Sequence, residues 1–169
     1  MHDTRCGNAS PLASPSGRRL VAVDIENVVG GAVISAQSVL WARRTIEGAI
    51  PPRYGDIVVL GTSHLGLLNV GCNWPAVRYV VRSGANGADL ALLEVLQENV
   101  VNRFDEVILV SGDGIFAEAV ASLCSQTVRV TVAAKRTSLS RRLHLAAAEV
   151  VLLDGPLNPG GALDLRGVA

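Results

Sequence analysis

The 169-residue chain carries no net charge, is 49% hydrophobic and contains only 4% aromatic residues. This length and hydrophobicity suit one domain with a buried core and exclude an extensively disordered protein. Zero net charge excludes a global attraction to nucleic acid or to an anionic membrane, so any such binding must come from a local patch. Because aromatics are scarce, Val, Leu, Ile and Ala must build the core, which favours helices packed on a buried parallel sheet.

In chain order, the hydrophobic pattern predicts strands that alternate with helices. The first half predicts strands at 19–24, 56–60 and 77–81, a helix at 35–47 and a short helix at 63–70. The second half predicts a long helix at 88–102, strands at 106–110 and 128–133, helices at 115–123 and 139–147, and a last strand at 150–153. This alternation predicts an α/β three-layer sandwich with a mainly parallel sheet.

The two ends of the chain differ in composition from the middle. Residues 1–17 are polar and contain two prolines, and residues 155–169 are rich in Pro and Gly. We therefore expect a flexible leader, a single domain at 18–154 and a flexible tail. Three cysteines without metal-binding spacing indicate a reducing, cytoplasmic location. No apolar stretch reaches the roughly 18–20 residues of a membrane span.

Three aspartates follow predicted strands at positions that bring them to one edge of the sheet. Asp24 closes the first strand, Asp113 follows the fourth, and Asp89 opens the long helix after the third. In parallel sheets this edge, past the carboxyl ends of the strands, is where ligands bind. Clustered carboxylates repel one another, and Mg²⁺ or Mn²⁺, which prefer oxygen ligands, removes that penalty. The pattern therefore predicts a divalent-cation site.

Each aspartate also has a purely structural interpretation. Asp89 and Asp113 could each serve only as the N-cap of the helix that follows. Asp24 is harder to explain in this way, because an acidic residue directly after an apolar strand is costly unless it is hydrated, paired or bound to metal. The joint placement of the three is more informative than any one of them.

Three short segments stand out along the chain, namely DIEN at 24–27, GADLAL at 87–92 and SGDGIF at 111–116. Their order resembles that of NYN domains, which belong to the PIN-like nuclease superfamily, and the stretch 140–153 is similar to the last helix and strand of that family. The resemblance covers roughly residues 19–154. It implies strand order 3-2-1-4-5, an acidic divalent-metal site and hydrolysis of RNA to a 5′-phosphate and a 3′-hydroxyl.

The resemblance also implies roles for individual residues. Asp24, Asp89 and Asp113 correspond to metal ligands, and Asn27 would orient a ligand or bind substrate as part of the catalytic set. Residues expected to contact RNA or to shape its site are Ser111, Arg82, Asn86 and His64, although a turn histidine without a role is a simpler explanation for the last. Six further basic residues could form a wider phosphate-binding rim, or could simply be solvated charges at the ends of helices and strands. They are Arg78, Arg82, Lys135, Arg136, Arg141 and Arg142.

Two positions depart from the family pattern. The family usually has a second acidic residue where this chain has Ile115, and it often has Lys where this chain has Asn86. Glu26 or Glu118 could replace the lost carboxylate only if the geometry allows it. The small number of clustered basic residues favours single-stranded or unpaired RNA over a duplex gripped by its phosphates.

Other functions stay open at this point. A PIN-like domain that binds RNA or a protein partner without cleavage is the main alternative, because of Ile115. A haloacid-dehalogenase-type phosphatase needs an Asp where Glu26 stands and a Lys before the late acidic motif, whereas Lys135 comes after it. A dinucleotide-binding enzyme is disfavoured, since no G-x-G-x-x-G follows the first strand. A homodimer is left open.

Overall fold

This computed structural model describes residues 17–153 and 155. Strands and helices alternate along this part of the chain. The strands are β1 Arg19–Asp24, β2 Ile57–Thr62, β3 Arg78–Val81, β4 Glu106–Val110, β5 Arg129–Ala134 and β6 Glu149–Leu152. The helices are α1 Ile25–Val29, α2 Ala36–Ala49, α3 His64–Asn73, α4 Gly87–Gln97, α5 Ala117–Ser125 and α6 Arg141–Ala146. Except for Gly17 and Gly155, the expected leader and tail lie outside the described residues, so these boundaries stay predictions.

All six strands form one parallel sheet in the order β3-β2-β1-β4-β5-β6. This confirms the α/β prediction and the strand order 3-2-1-4-5, to which β6 is added at the edge beside β5. The chain leaves β1 for β2 on one side and later returns to place β4 on the other. The carboxyl ends of β1 and β4 therefore meet at the point where the strand order reverses, where open α/β sheets bind ligands.

The sheet is covered by helices on both faces. In β1, Leu20 and Ala22 belong to one hydrophobic cluster and Val21 and Val23 to the other, as expected for side chains that alternate across a strand. The first cluster includes buried residues of α4, α5 and α6, and the second includes those of α1, α2 and α3. This arrangement is the predicted three-layer sandwich.

Several element boundaries differ from the sequence prediction. The helix predicted at 88–102 ends at Gln97, because Asn99 adopts a left-handed conformation with φ 47° and a 3₁₀ turn, Val100–Asn102, follows. The short helix α1 was not predicted; it begins directly after β1, where the Asp24 carboxylate accepts a hydrogen bond from the Asn27 backbone amide. The last helix begins two residues later than expected, at Arg141, and is capped by Ser140.

Two observations concern the environment of the protein. Within the described residues, no helix is both long and apolar enough to cross a membrane. Cys72 and Cys124 are free thiols.

Candidate functional site

A cavity of about 200 Å³ opens at the carboxyl end of the sheet. Residues that follow β1, β2, β3 and β4 contribute to its wall, as the topology requires. The lining residues are Asp24, Glu26, Asn27, Ser63, Arg82, Gly84, Asn86, Gly87, Ala88, Asp89 and Asp113. The fold therefore brings the three predicted aspartates to one cavity, which we call the carboxylate cavity.

Asp24 is the most buried carboxylate of the site, with 2% of its surface exposed. One carboxylate oxygen accepts a hydrogen bond from the Asn27 backbone amide at 3.1 Å, and the other accepts one from the Ser111 hydroxyl at 2.9 Å. Burial, together with the negative charge of Asp89, raises the pKa of Asp24 to about 8. At neutral pH and without a cation, Asp24 therefore holds a proton and shares a hydrogen bond with Asp89.

Asp89 is the third residue of α4 and is partly buried. Burial raises its pKa, and the negative charges of Asp113 and Glu26 act in the same direction. Asn86, not Asp89, is the N-cap of α4, so the capping interpretation of Asp89 is wrong. Gly87 has no room for a side chain, because a β-carbon there would collide with the Arg82 carbonyl oxygen.

The loop after β4 donates a hydrogen bond to Asp24 and places Asp113 in the wall of the cavity. Ser111 is fully buried; its hydroxyl donates to Asp24 and accepts from the Asp113 backbone amide at 3.2 Å. The expected RNA contact of Ser111 is therefore corrected to a supporting position beneath Asp24. The Asn27 side-chain oxygen accepts a hydrogen bond from the Gly112 amide at 3.0 Å, which ties this loop to α1.

Asp113 both caps the helical turn that follows it and lies in the wall of the carboxylate cavity. One of its carboxylate oxygens accepts a hydrogen bond from the Ile115 amide at 2.9 Å and so caps the 3₁₀ turn Gly114–Phe116. The residue also lines the carboxylate cavity. Capping by one oxygen leaves the other available, so the structural role does not exclude a functional one.

The two glutamates considered as substitutes for the missing acidic residue lie in different places. Ile115 and Glu118 line a larger cavity of about 560 Å³ between α4 and α5. Glu26 lines the carboxylate cavity, where one of its oxygens accepts a hydrogen bond from the Ser63 amide at 2.9 Å. The geometry thus allows Glu26 to contribute negative charge to the site and places Glu118 outside it.

The residues expected to contact RNA are distributed around the cavity. Arg82 and Asn86 line it, and the Arg82 guanidinium forms an ion pair of 2.9 Å with Glu94. His64 is exposed at the start of α3, with ring Nδ1 2.8 Å from the Ser83 hydroxyl. Arg78 begins β3, at the opposite end of the sheet, and pairs with Glu98, so it does not belong to the rim.

Ser63 is a residue of the site that the sequence pattern did not single out. It follows β2 directly and lines the carboxylate cavity. Its hydroxyl oxygen is buried and, in the described part of the structure, has no hydrogen-bond partner. The rule that selected the aspartates, namely position just past the carboxyl end of a strand, would also have found Ser63 if it had been applied to hydroxyl groups.

The donor chemistry of the cavity fits a hard divalent cation. Within residues 17–153 and 155, no group of three or more His, Cys, Asp or Glu side chains is arranged closely enough to hold a metal ion. Mg²⁺, however, binds through one or two carboxylates and keeps several waters. Asp24 and Asp89, which interact with each other, could hold such a partly hydrated ion together with Asp113 and Glu26, which line the same cavity.

Comparisons with known proteins agree with this architecture. A solved structure of a protein of unknown function from Vibrio parahaemolyticus RIMD 2210633 has a similar fold, with a TM-score of 0.56 and 18% sequence identity over 81% of this chain and 93% of that chain. No curated protein matches the chain. Residues 70–154, half of the chain, match the family model described as NYN domain. The chain therefore belongs to the NYN domain family, within the PIN-like nuclease superfamily.

Proposed function

We propose that this protein is a divalent-metal-dependent ribonuclease that hydrolyses phosphodiester bonds in single-stranded or unpaired RNA. The observation that carries the proposal is the carboxylate cavity, where Asp24, Asp89 and Asp113 lie at the strand-order reversal of a NYN fold. Family membership supports a nuclease and favours it over the phosphatase alternative. The metal, the substrate and the residue roles are our inference.

The chain's own residues prepare the site in three ways. Asp24 is fixed from two directions, by the Asn27 amide and the Ser111 hydroxyl, so its oxygens point in a defined direction. Asp89 and Asp113 add negative charge from the α4 and β4 sides, and these charges favour binding of a cation. Asn27 holds the Gly112 amide, which keeps the loop carrying Asp113 in register with Asp24.

Mg²⁺ or Mn²⁺ would be held by Asp24, Asp89 and Asp113, and would supply Lewis acidity toward a phosphoryl oxygen and a water of lowered pKa. Cation binding requires Asp24 to release the proton that burial and Asp89 make it hold. Metal binding should therefore strengthen as pH rises toward 8, because protons and metal compete for the same oxygens.

The direct test is cleavage of a labelled, unstructured RNA of mixed sequence in Mn²⁺, with and without chelator. We expect cleavage by the wild type, none in chelator and none by Asp24→Asn. Glu118→Gln is the matched control, because it removes a carboxylate that is exposed and lies outside the carboxylate cavity. Equal traces of cleavage by the wild type and Asp24→Asn would identify a contaminating nuclease and reject the proposal.

A second candidate function is RNA or protein binding without cleavage. Ile115 favours it, because the usual acidic residue is replaced by a side chain that packs against the hydrophobic core. Mn²⁺ titration separates the two functions: a pure binding domain gains no thermal stability from the ion, whereas the proposed nuclease gains stability that Asp24→Asn abolishes.

Cellular location and assembly belong to the same proposal. The free thiols of Cys72 and Cys124 support the expected cytoplasmic location. A homodimer stays a prediction, and sedimentation velocity at micromolar concentration would test it.

A further inference from the structure

One segment of this neutral protein carries basic residues and no acidic ones. Residues 119–148 contain five Lys or Arg side chains and no Asp or Glu. Four of the five lie between the end of β5 and the first turn of α6, and we call them the basic flank: Lys135, Arg136, Arg141 and Arg142. The absence of net charge thus conceals a local patch of single sign, which the composition alone cannot reveal.

The fold places the basic flank beside the carboxylate cavity. Ser140 donates its amide hydrogen to the Gly112 carbonyl at 2.8 Å, and the Ser138 carbonyl packs so closely on Gly112 that a β-carbon there would collide with it. The Lys135 amine lies 3.8 Å from the position that a β-carbon on Gly30 would take. The segment that carries the flank is therefore docked on the loop that presents Asp113.

No ion pair among the described residues neutralises the charges of the basic flank. Within the described residues, ion pairs engage Arg19, Arg43, Arg53, Arg78 and Arg82, and none involves the flank. Three of its members, Arg136, Arg141 and Arg142, are exposed. On the opposite side of the cavity, by contrast, Arg82 is paired with Glu94. The positive charges of the basic flank, which have no ion pair among the described residues, therefore lie on one side of the carboxylate cavity.

Two of these cations occupy positions that do not favour stability. Arg141 and Arg142 are the first two residues of α6. Positive side chains at a helix N-terminus oppose the helix dipole. A solvated surface without function would more readily carry acidic or neutral residues there. The arrangement is explained if the two guanidinium groups face an anionic ligand.

We propose that the basic flank binds the phosphate backbone of single-stranded RNA on one side of the carboxylate cavity and supplies most of the affinity for the substrate. The identity of the ligand as RNA rests on the proposed function. Guanidinium groups make bidentate contacts to phosphate, and a chain of exposed cations follows a flexible strand without reading its sequence. Because the charge lies on one side, the strand is held mainly on that side of the bond to be cut.

The test is RNA binding measured in chelator, where no cleavage occurs, by fluorescence anisotropy with labelled oligouridylate across a salt series. The variant is Arg141→Gln with Arg142→Gln. The matched control is Arg44→Gln with Arg129→Gln, since both residues are exposed, and Arg129 starts β5 at the opposite end of the sheet. Thermal melts establish that both double variants are folded.

We expect the flank variant to bind about tenfold more weakly, with the slope of log K against log salt reduced by about 1.4, or about 0.7 for each lost phosphate contact. The control should bind like the wild type. Equal weakening by both double variants, or no weakening by either, would overturn the proposal, as would tighter binding of duplex RNA than of the single strand.

Cleavage assays separate this inference from the proposed function. In Mn²⁺ the flank variant should raise KM and leave kcat close to the wild-type value, because it removes substrate binding and not the acidic site. If the wild type does not cleave RNA but binding still depends on the flank, the ribonuclease proposal fails and the binding surface stands. If cleavage occurs with an unchanged KM in the flank variant, the surface is refuted and the ribonuclease proposal stands.

Discussion

Replacing Asp24 by Asn should stabilise the metal-free protein, even though it removes the central residue of the site. Asp24 has an ordinary pKa of 3.8 in an unfolded chain and a pKa of about 8 in the folded protein, because it is buried and close to Asp89. Between these two pH values the folded state holds a proton that the unfolded state has released. The free energy of unfolding therefore decreases as pH rises through this window.

The size of the effect follows from the same difference. A gap of about four pH units corresponds to at most about 6 kcal/mol of stability lost by the wild type at high pH. Water that enters from the adjoining cavity lowers this cost, so we expect Asp24→Asn to gain about 2 kcal/mol at pH 8, within the range of functional-site replacements. For a domain of this size that is a rise in Tm of roughly 4–8 °C.

The shape of the side chain is kept by this replacement, which isolates the charge. The new amide retains an oxygen that can accept from the Asn27 amide, and its nitrogen can donate to the Ser111 hydroxyl. At pH 4, where the wild-type carboxyl is also neutral in the folded state, the two proteins should differ little. Thermal melts in chelator from pH 4 to pH 9 would measure the difference.

The control for this experiment is again Glu118→Gln, which removes one exposed carboxylate. Its Tm should follow that of the wild type across the whole pH range. If the melting curves of Asp24→Asn and the wild type stay parallel from pH 4 to pH 9, Asp24 does not titrate as argued. The reasoning that couples its burial to Asp89 would then be refuted.

Three further predictions concern the neighbours of Asp24. Glu26→Gln keeps an oxygen that can accept the hydrogen bond from the Ser63 amide, so the stability of the fold should not change, but Mn²⁺ binding should weaken severalfold in a calorimetric titration. An unchanged Mn²⁺ affinity would show that Glu26 does not act on the cation. Ser111→Ala leaves buried groups unpaired and should cost about 1–3 kcal/mol in urea unfolding, with a loss below about half a kcal/mol counting against the hydrogen bond to Asp24. Gly112→Ala should cost about 1–3 kcal/mol because its methyl group meets the Ser138 carbonyl, and wild-type stability would show that the loop yields easily.

The order and type of the main strands and helices follow from the hydrophobic pattern of short segments of the sequence. β1, at Arg19–Asp24, and β4, at Glu106–Val110, have the predicted bounds because each is an aliphatic run that must be buried on both faces. The alternation with helices then left few topologies, and all of them bring the carboxyl ends of the strands to one edge. For this reason the amino-acid sequence alone was enough to place Asp24 and Asp113 at the same edge of the sheet, where they line one cavity.

Other features of the site were decided by tertiary contacts. The sequence could not show that Ser111 is buried beneath Asp24, because that depends on the alignment of β1 with β4. Nor could it distinguish Glu26 from Glu118 as a second source of charge, since helix orientation selects the cavity that each one lines. The pKa of Asp24 likewise depends on burial and on Asp89, which is distant in sequence.

The same division applies to the basic residues. The sequence determined how many there are and that several lie close together between residues 135 and 142. Only the tertiary structure distinguished Arg78 and Arg82, which pair with Glu98 and Glu94, from the cations that have no ion pair among the described residues. Whether a charge is free depends on which oppositely charged side chain the fold brings within about 4 Å, and these two pairs join residues that are 20 and 12 positions apart in the chain.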